Sequence, residues 1–482
     1  MTTRLLVGPF NRVEGDLEVS LDIADGQVRS AQVSSSLYRG FENMLIGRDP
    51  LDALVLVPRI CGICSVAQSA AAAAALAAAA GIAMPANGRL AQNLIQATEN
   101  IADHLTHFYC FFMPDFAREQ YASEPWHAAV AGRFRAQRGT ALAEFLPARA
   151  GLLRVLGYLA GKWPHTLALQ PGGTTRSITP TEKVRLSAVL REFRAFLEEA
   201  VFADTLENVA GVTSWPALVA WADARGSDFA TFLRAAAALD LHRIGRASDV
   251  FLAVGAYPGD TGHCFPAGVF DGRSGQRTAF DPSAITEDVS HAWLAGDDAL
   301  PPARGETRPM PDGKAAAYTW CKAPRYGGQV VETGALARQV LAGHRLACDM
   351  IAGGASVSAR IVARFVEVAR LLPQMERWLA AIVPGEPFCA QWTAPEAATG
   401  IGLVEAARGA LGHWLSIERG KIAGYQIIAP TTWNFSPRDA AGQPGALEQA
   451  LAGLPVAAGD TSPLVVQHVV RSFDPCMVCT VH

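Results

Sequence analysis

Two pairs of cysteines lie near opposite ends of the chain, and both have the spacing C-x-x-C. The first pair is Cys61 and Cys64, and the second pair, Cys476 and Cys479, follows more than four hundred residues later. A backbone turn with this spacing presents two sulfurs to one metal ion. The four thiolates together can therefore ligate a single metal centre, and their separation along the chain predicts a deep site that the whole fold encloses.

Spacing alone leaves three interpretations of these cysteines open. Zinc ribbons place their two pairs about 15–20 residues apart, so the long separation favours a buried catalytic or redox metal over structural zinc. Thiols with no common role are the third interpretation. The nine cysteines are an odd number and are scattered apart from the two pairs. This pattern is typical of metal binding in a reducing compartment, and we expect a cytoplasmic protein.

The stretch that follows Cys64 must position the first pair. Val66 to Met84 is rich in alanine and nearly uncharged, and it predicts a helix whose positive N-terminal end lowers the pKa of the preceding thiols. Its length is close to that of a membrane span, but alanine is only weakly favourable in lipid, and Gln68 and Ser69 lie inside it. A buried helix is the better prediction. The N-terminal residues also lack the basic and apolar regions of a signal peptide.

Hydrophobic periodicity predicts the remaining elements. Residues 4–35 alternate as strands around a hairpin turn at Ala24-Asp25-Gly26. No repeat or linker composition divides the chain, so we predict one intertwined unit over residues 1–482. Its fold class is mostly α with β edges (α+β), with a helical bundle core that buries the metal site and a β-rich N-terminal edge over about residues 1–50. We expect helices over 88–116, 140–250, 332–383 and 393–419, strands and loops over about 255–330, and irregular structure from 421 onward.

Composition and charge limit the possible partners. Half of the residues are hydrophobic and only 18% are charged, which predicts that much surface is buried against another chain. The formal net charge of -4, without runs of like charge, gives no basic footprint for nucleic acid.

Short motifs spread over the whole chain carry a resemblance to a known family. Together they resemble the large subunit of [NiFe] hydrogenases over essentially its full length. The motifs are RVEG at 12–15, YRGFE at 38–42, GRDP at 47–50, RICGIC at 59–64, DHLTHFY at 103–109, KWPH at 162–165, QPGG at 170–173, KAPRYGG at 322–328, ARGALGHW at 407–414, PTTWNFSPRD at 430–439 and DPCMVC at 474–479.

The resemblance implies a Ni-Fe(CN)2(CO) active site that cleaves H2 heterolytically into protons and electrons. Cys61 and Cys476 match the terminal nickel thiolates, and Cys64 and Cys479 match the thiolates that bridge nickel to iron. Soft thiolates suit both metals. The same resemblance implies a small subunit with iron–sulfur clusters as the electron-transfer partner, because the large subunit holds none.

The resemblance also assigns roles to polar residues. Arg408, Asp103 and Asp474 match a polar canopy over the metals, in which the arginine can act as a positioned base; a purely structural ion pair is the alternative. Glu14 matches the carboxylate that passes protons away from a terminal thiolate. Thr431, together with Arg408, matches the contacts to the cyanide ligands.

The resemblance also implies a magnesium site. Glu42, the backbone carbonyl of Ile427 and His482 match its ligands, and oxygen donors with waters suit this hard cation.

Three departures from the common pattern of the family point to a subgroup. Gln68 replaces a common histidine, and Ile63 and Phe111, along the gas channel, are bulkier than the usual valine and leucine. A narrowed apolar channel would exclude oxygen, although compensated core packing explains the change equally simply. The chain also stops at His482, without the C-terminal extension that most catalytic members are made with. These features resemble the H2-sensing regulatory hydrogenases.

We therefore predict a low-turnover H2 sensor that signals to a histidine kinase, with a dimer of heterodimers left open. The runner-up is a respiratory uptake [NiFe] hydrogenase with high turnover and a membrane cytochrome partner. A non-catalytic relative, such as a quinone-binding subunit of a respiratory complex, is disfavoured because both cysteine pairs are kept. A zinc-stabilised scaffold is the last alternative.

Overall fold

The protein, seen in a computed structural model that describes residues 3–480, has the predicted α+β fold. Its helices are α1 Phe41–Leu45, α2 Asp52–Leu56, α3 Ser65–Ala80, α4 Ala86–Thr106, α5 His127–Phe134, α6 Ala141–Leu152, α7 Arg154–Ala160, α8 Pro180–Phe196, α9 Leu206–Ala210, α10 Trp215–Asp223, α11 Asp228–Ala238, α12 Ala335–Leu341, α13 Arg345–Met350, α14 Val357–Ala381, α15 Pro430–Asn434, α16 Ala446–Leu451 and α17 Leu464–Ser472. Its strands are β1 Thr3–Val7, β2 Leu17–Ala24, β3 Gln27–Ser35, β4 Leu169–Gln170, β5 Gly173–Thr174, β6 Val250–Ala253, β7 Ala256–Gly259, β8 Gly262–Phe265, β9 Gly268–Asp271, β10 Gln276–Thr278, β11 Ile285–Asp288, β12 Ala323–Tyr326, β13 Ala398–Ala406, β14 Gly409–Glu418 and β15 Lys421–Ile428.

The N-terminal β-structure is confirmed. β1, β2 and β3 form an antiparallel sheet in chain order, and the turn between β2 and β3 has Asp25 and Gly26 in the left-handed region. On β2, Leu17, Val19 and Leu21 alternate with polar residues and are fully buried, because one face of the sheet lies on the core. The carbonyl of Val28 accepts a hydrogen bond from the amide of Gly453, so the sheet is tied to the C-terminal part of the chain.

The alanine-rich stretch forms α3, a buried helix that packs against β13. A Cβ added at Gly400 would lie 2.0 Å from the carbonyl oxygen of Ala75, and one at Gly402 would lie 2.0 Å from that of Ala71. Helix and strand backbones are therefore in direct contact, which only glycine on the strand allows. The two elements run antiparallel, and this places the N-terminus of α3 beside the end of β13.

The helix predicted over residues 393–419 is wrong, because this segment forms β13 and β14. Residues 409–415 of β14 are all buried, so the alternation that marks a half-exposed strand is missing from the sequence. The irregular tail predicted from residue 421 is also wrong in part. It contains β15, which completes a three-stranded sheet with β13 and β14, and the helices α15, α16 and α17.

The helical core positions the rest of the site. α4 packs against α14, the longest helix of the described chain, and both are largely buried. At its C-terminal end α4 continues into a π-helical turn, His107–Phe112, a distortion that is frequent near functional sites. None of the helices within residues 3–480 combines the length and the apolar composition of a membrane span. The organisation as one intertwined unit stays a prediction.

Candidate metal centre

The structure brings the four predicted cysteines into one buried cluster. Their sulfur atoms all lie within 4.8 Å of one another. The Sγ–Sγ distances are 3.5 Å between Cys61 and Cys476, 3.2 Å between Cys64 and Cys479, and 3.1 Å between Cys476 and Cys479. None of these sulfurs belongs to a disulfide. Each cysteine of the first pair thus lies next to a cysteine of the second pair, as expected for ligands of one metal centre.

Short turns at helix ends present the thiols. Cys61 follows the 3-10 turn Val57–Ile60, and Cys64 is the N-cap residue of α3. Cys476 and Cys479 belong to a second 3-10 turn that begins after α17. Between α17 and this turn, Asp474 has a φ of 59°, a left-handed conformation that costs a non-glycine residue about 1 kcal/mol. The chain accepts this cost at a residue of the candidate site.

The thiols share protons unevenly. Hydrogen bonds from Cys476, Cys479 and Cys64 hold the pKa of Cys61 well below its usual value. Hydrogen bonds of Cys64 with Cys476, Cys479 and Cys61 raise the pKa of Cys64 well above its usual value. Metal ligation by all four sulfurs therefore requires the release of protons from the cluster.

Close to the sulfurs, Arg408 forms ion pairs with two carboxylates, those of Asp103 and Asp474. Its Nη1 and Nη2 donate to Asp103 over 2.5 and 3.1 Å, and Nη2 also donates to Asp474 Oδ1 over 3.0 Å. Nε donates to the backbone oxygen of Asp474 over 3.0 Å. All three side chains are buried. We call Arg408, Asp103 and Asp474 the open cluster, because Oδ2 of Asp474 has no hydrogen-bond partner within residues 3–480.

The two carboxylates of the open cluster differ in proton affinity. Burial raises the pKa of Asp103 to about 7, and the charge of Asp474 adds to this effect against the attraction of Arg408. Burial also opposes ionisation of Asp474, but the positive charge of Arg408 outweighs it, and the net effect lowers the pKa of Asp474. The cluster can hold one extra proton near neutral pH.

Glu14 and Thr431 also lie at the cluster. Glu14 pairs with Cys476 through a backbone bridge, and its carbonyl accepts a hydrogen bond from the amide of Met477 over 2.7 Å. Partial burial and the charge of Cys61 raise the pKa of Glu14. The hydroxyl oxygen of Thr431 accepts a hydrogen bond from the amide of Cys476 over 3.3 Å, which leaves its own proton free to donate. The chain is tightly packed at Gly15, since a Cβ there would lie 2.9 Å from the amide nitrogen of Val478.

Around Glu42 the structure forms a separate polar cavity. Glu42 accepts hydrogen bonds from the amide of Ile427 over 2.8 Å, from the Thr307 hydroxyl, and from Lys322 Nζ over 3.3 Å. The contact found at Ile427 is therefore through its N–H group. Thr480, the last described residue, lines the same cavity, and the third predicted magnesium ligand, His482, lies outside the described residues.

The residues that depart from the common pattern lie in different surroundings. Gln68 is fully buried, and its Oε1 lies 2.9 Å from Nε2 of His413. Ile63 is partly buried between the two cysteines of the first pair, and Phe111 is partly buried in the π-helical turn. Their predicted role along a gas channel stays a prediction.

Sequence reasoning missed a buried carboxylate that holds the first cysteine pair in place. Glu99, on α4, accepts hydrogen bonds from the amides of Val66 and Ala67 over 2.9 and 3.0 Å, and from Trp163 Nε1 over 2.9 Å. It thus caps the N-terminus of α3 from another helix. Its signal in the sequence was a glutamate on the buried face of α4, four residues before Asp103.

Comparisons with known proteins agree with this geometry. A family profile described as nickel-dependent hydrogenase matches residues 39–124 and 142–482. The chain is 30% identical to the periplasmic [NiFeSe] hydrogenase large subunit of Desulfomicrobium baculatum, over 99% of this chain and 95% of that protein. It is 28% identical to the uptake hydrogenase large subunit of Rubrivivax gelatinosus, with 99% and 95% covered, and 28% identical to the hydrogenase-2 large chain of Escherichia coli (strain K12), with 100% and 97% covered. Among solved structures, the Ni-Fe-Se hydrogenase of Desulfovibrio vulgaris Hildenborough superposes with a TM-score of 0.85 at 32% identity, over 100% of both chains.

Proposed function

Because the chain belongs to the nickel-dependent hydrogenase family, we propose that it is the catalytic large subunit of a heterodimer that oxidises H2. The observation that carries this proposal is the buried cluster of four cysteines beneath Arg408. The likeness to named hydrogenase large subunits runs over the whole chain, so the family's chemistry applies to this cluster.

The donor set fits a centre of nickel and iron. Four thiolates are soft ligands, and softness rather than raw affinity selects such metals. Cys61 and Cys476 would hold nickel, and Cys64 and Cys479 would bridge it to iron. The hydroxyl of Thr431 and the guanidinium of Arg408 would contact the cyanide ligands. When bound, this Ni-Fe(CN)2(CO) centre supplies the heterolytic cleavage of H2.

The chain's own polar residues handle the protons. Glu14, with its raised pKa beside Cys61, can accept a proton at the sulfur side and release it. Asp103 can hold a second proton near neutral pH, and Asp474 offers an acceptor oxygen without a partner among the described residues. Three carboxylates are thus available to hold or accept protons near the sulfurs.

An apolar surface beside the cysteines suits the small subunit. Exposed hydrophobic side chains on and around α1 and α2 include Met44, Ile46, Leu51 and Val55, and Gly62 is exposed between the cysteines of the first pair. Apolar surface of this kind marks an interaction site. A partner bound there would bring its iron–sulfur clusters close to the sulfurs of Cys61 and Cys64.

The named relatives favour an uptake enzyme over the H2 sensor that the sequence motifs suggested. Relatives from Rubrivivax and Escherichia coli are an uptake hydrogenase and hydrogenase-2. The sensor with a histidine-kinase partner is the second candidate, and Gln68 at the position of a common histidine is the sequence feature that favours it. A dimer of heterodimers and a cytoplasmic location stay predictions that go with this candidate.

A magnesium ion at Glu42 is also part of the proposal. Glu42 and Ile427 line one small cavity, where the Glu42 carboxylate and the Ile427 carbonyl would supply the hard oxygen donors that magnesium prefers. Lys322 Nζ lies 3.3 Å from Glu42 and 3.6 Å from Glu287, so part of the negative charge is already balanced. A magnesium ion bound there would share the negative charge of Glu42 with Lys322 rather than balance it alone.

The test is to purify the heterodimer, to measure nickel and iron, and to assay H2-dependent dye reduction before and after exposure to air. We expect both metals and measurable H2 oxidation. Cys61→Ser should lose nickel and activity, whereas Cys348→Ser should keep both, because Cys348 is a free cysteine away from the cluster.

The outcomes separate the candidates. Fast turnover that air abolishes supports the uptake enzyme, and slow turnover that air leaves unchanged supports the sensor. Zinc in place of nickel and iron, with no H2 oxidation, would overturn the hydrogenase proposal.

A further inference from the structure

A second buried ionic cluster lies directly behind the open cluster. It consists of Arg338 on α12, Glu367 on α14 and Glu405 at the end of β13, and their side chains are all fully buried. We call these three residues the closed cluster. Burial of three charges is costly unless every donor and acceptor is satisfied, so their contacts are informative.

Arg338 uses all five of its N–H groups. Nε donates to Glu367 over 2.8 Å, and Nη2 donates to Glu367 over 2.7 Å and to the carbonyl of Ala407 over 3.0 Å. Nη1 donates to Glu405 over 2.7 Å and to the carbonyl of Ala406 over 2.9 Å. The carbonyl of Ala407 belongs to the peptide unit that ends at the nitrogen of Arg408. Arg338 therefore fixes the backbone that carries Arg408.

The same cluster is also hydrogen-bonded to α4, the helix that carries Asp103. Oε1 of Glu367 lies 3.1 Å from Nε2 of His104, the residue next to Asp103 on α4. Also from α4, Gln96 and Asn100 donate to the carbonyl of Glu405 over 2.7 and 3.1 Å. One set of buried contacts thus sets the position of both halves of the Arg408–Asp103 pair.

The turn at Arg408 has little other freedom. A Cβ at Gly409 would lie 2.6 Å from the amide nitrogen of Gly334, and a Cβ at Gly334 would lie 3.1 Å from the carbonyl of Arg408. The start of α12 therefore packs against the turn, and Arg338 lies in the last turn of this short helix.

We infer that Arg338 is a positioning residue, which acts through Arg408 and sets its distance to Asp103 and the metal centre. This inference rests on the proposed function, since the reaction at the centre is what the position of Arg408 serves. A lysine at position 338 keeps the charge but can reach only part of the five acceptors.

The chain offers a matched control for Arg338→Lys. Arg325 is also buried and also has five acceptors, which are Asp439, Ser436 and the carbonyls of Pro324, Pro437 and Gln443. None of these acceptors belongs to the Arg408 turn or to α4. Arg325→Lys should therefore lower stability as much as Arg338→Lys does, without reaching Arg408.

The kinetic test measures H2 oxidation by both variants as heterodimers with equal nickel content. For Arg338→Lys we expect a roughly 10- to 100-fold fall in kcat, as found for supporting residues behind metal sites, with KM for H2 unchanged. Arg325→Lys should keep the kcat of the wild type. In an Arg408→Lys background the Arg338→Lys change should cost little more. An equal loss in both backgrounds would overturn the inference, because the effect would then not pass through Arg408.

A second readout does not depend on H2 chemistry. Amide hydrogen exchange over residues 405–410 should become faster in Arg338→Lys, whereas Arg325→Lys should speed exchange over 436–443 instead. Unchanged exchange at 405–410 would overturn the positioning role. A wild-type heterodimer without H2 oxidation would contradict the proposed function, and the exchange experiment would still decide the role of Arg338.

Discussion

The open and closed clusters have the same composition, one arginine with two carboxylates, yet they differ in how far their hydrogen bonds are completed. In the closed cluster Arg338 has five acceptors, and each oxygen of Glu367 has two donors. In the open cluster one oxygen of Asp474 has no partner within residues 3–480. The difference indicates that a buried ion cluster with complete hydrogen bonds supports the surrounding structure. A cluster with an unpartnered carboxylate oxygen can instead exchange a proton.

The pKa values of Glu367 and Asp103 follow the same division, whereas the pKa of Asp474 in the open cluster is lowered. Burial opposes ionisation of Glu367, but Arg338 and His104 outweigh it and lower its pKa. Burial raises the pKa of Asp103 to about 7 despite the neighbouring Arg408. Glu405 differs from Glu367, because burial raises its pKa and Arg338 and the amide of Val254 offset the effect only in part. The contrast is therefore sharpest between Glu367 and Asp103.

Loss of a charge from the closed cluster should give the largest change in stability. Glu367→Gln leaves Arg338 with one carboxylate and turns an amide group toward a donor, and breaking a buried pair in this way costs about 3–5 kcal/mol of unfolding free energy. Urea denaturation of the heterodimer would measure it. The control is Glu306→Gln, because the Arg308–Glu306 pair is exposed and contributes little. Equal midpoints for the two variants would contradict the support role.

In the open cluster the main effect should be on activity. Asp474→Asn removes the free acceptor oxygen. We expect the rate of H2 oxidation to fall by a factor on the order of 10²–10³, as for a positioned acid or base. Stability should change less than in Glu367→Gln, because Asp103 still pairs with Arg408. Nickel content and an unfolding curve of the same preparation provide the control. A large loss of stability with activity retained would reverse the assignment of the two clusters.

The pH dependence of stability should have opposite signs for Asp103 of the open cluster and Glu367 of the closed cluster. Since folding raises the pKa of Asp103 from 3.8 to about 7, its stabilising effect is complete below pH 4 and is lost as the pH rises to 7. Glu367, with a lowered pKa, stabilises above its ordinary pKa and loses this effect in acid. In the metal-free heterodimer, Asp103→Asn should remove a decrease on the order of 1–3 kcal/mol between pH 4 and 7. An unchanged pH profile would show that Asp103 stays ionised when buried.

Glu99 tests whether a carboxylate with complete bonds but no arginine is also a support. Glu99→Gln replaces one acceptor oxygen by an amide group that faces the N–H groups of Val66, Ala67 or Trp163. We expect a loss of about 1–2 kcal/mol in unfolding free energy, with nickel content and kcat retained. Thermal unfolding and metal analysis would measure this, and a loss of nickel would instead make Glu99 essential for the position of Cys64.

The sequence predicted much of the site because its residues lie in short motifs. The two cysteine pairs follow from their local spacing, whereas the grouping of Arg408 with Asp103 and Asp474 came from the resemblance to a known family. The contacts of Arg338 and Glu99 could not be predicted, because neither residue belongs to one of these motifs and their partners lie 29–69 residues away on other elements. Such pairings depend on tertiary packing, which propensity and periodicity do not encode.

The errors in the fold have the same physical origin. Residues 409–415 are buried on both faces, so their apolar pattern does not distinguish strand from helix. The N-terminal hairpin, with one face exposed, was predicted correctly because its polar and apolar residues alternate. Likewise, α3 was predicted as a buried helix from its alanines. The sequence did not indicate that the glycines of β13 pack against the backbone of this helix.

The wide separation of the two cysteine pairs has a consequence for the synthesis of the protein. Cys476 and Cys479 leave the ribosome 415 residues after their partners Cys61 and Cys64. At about 5–20 residues per second, the early pair waits for roughly 20–80 seconds as free thiols without its partners. Four-sulfur ligation of the metals is therefore a late event in the life of the chain, and the cell must keep two exposed cysteines reduced and free of competing metal ions until then.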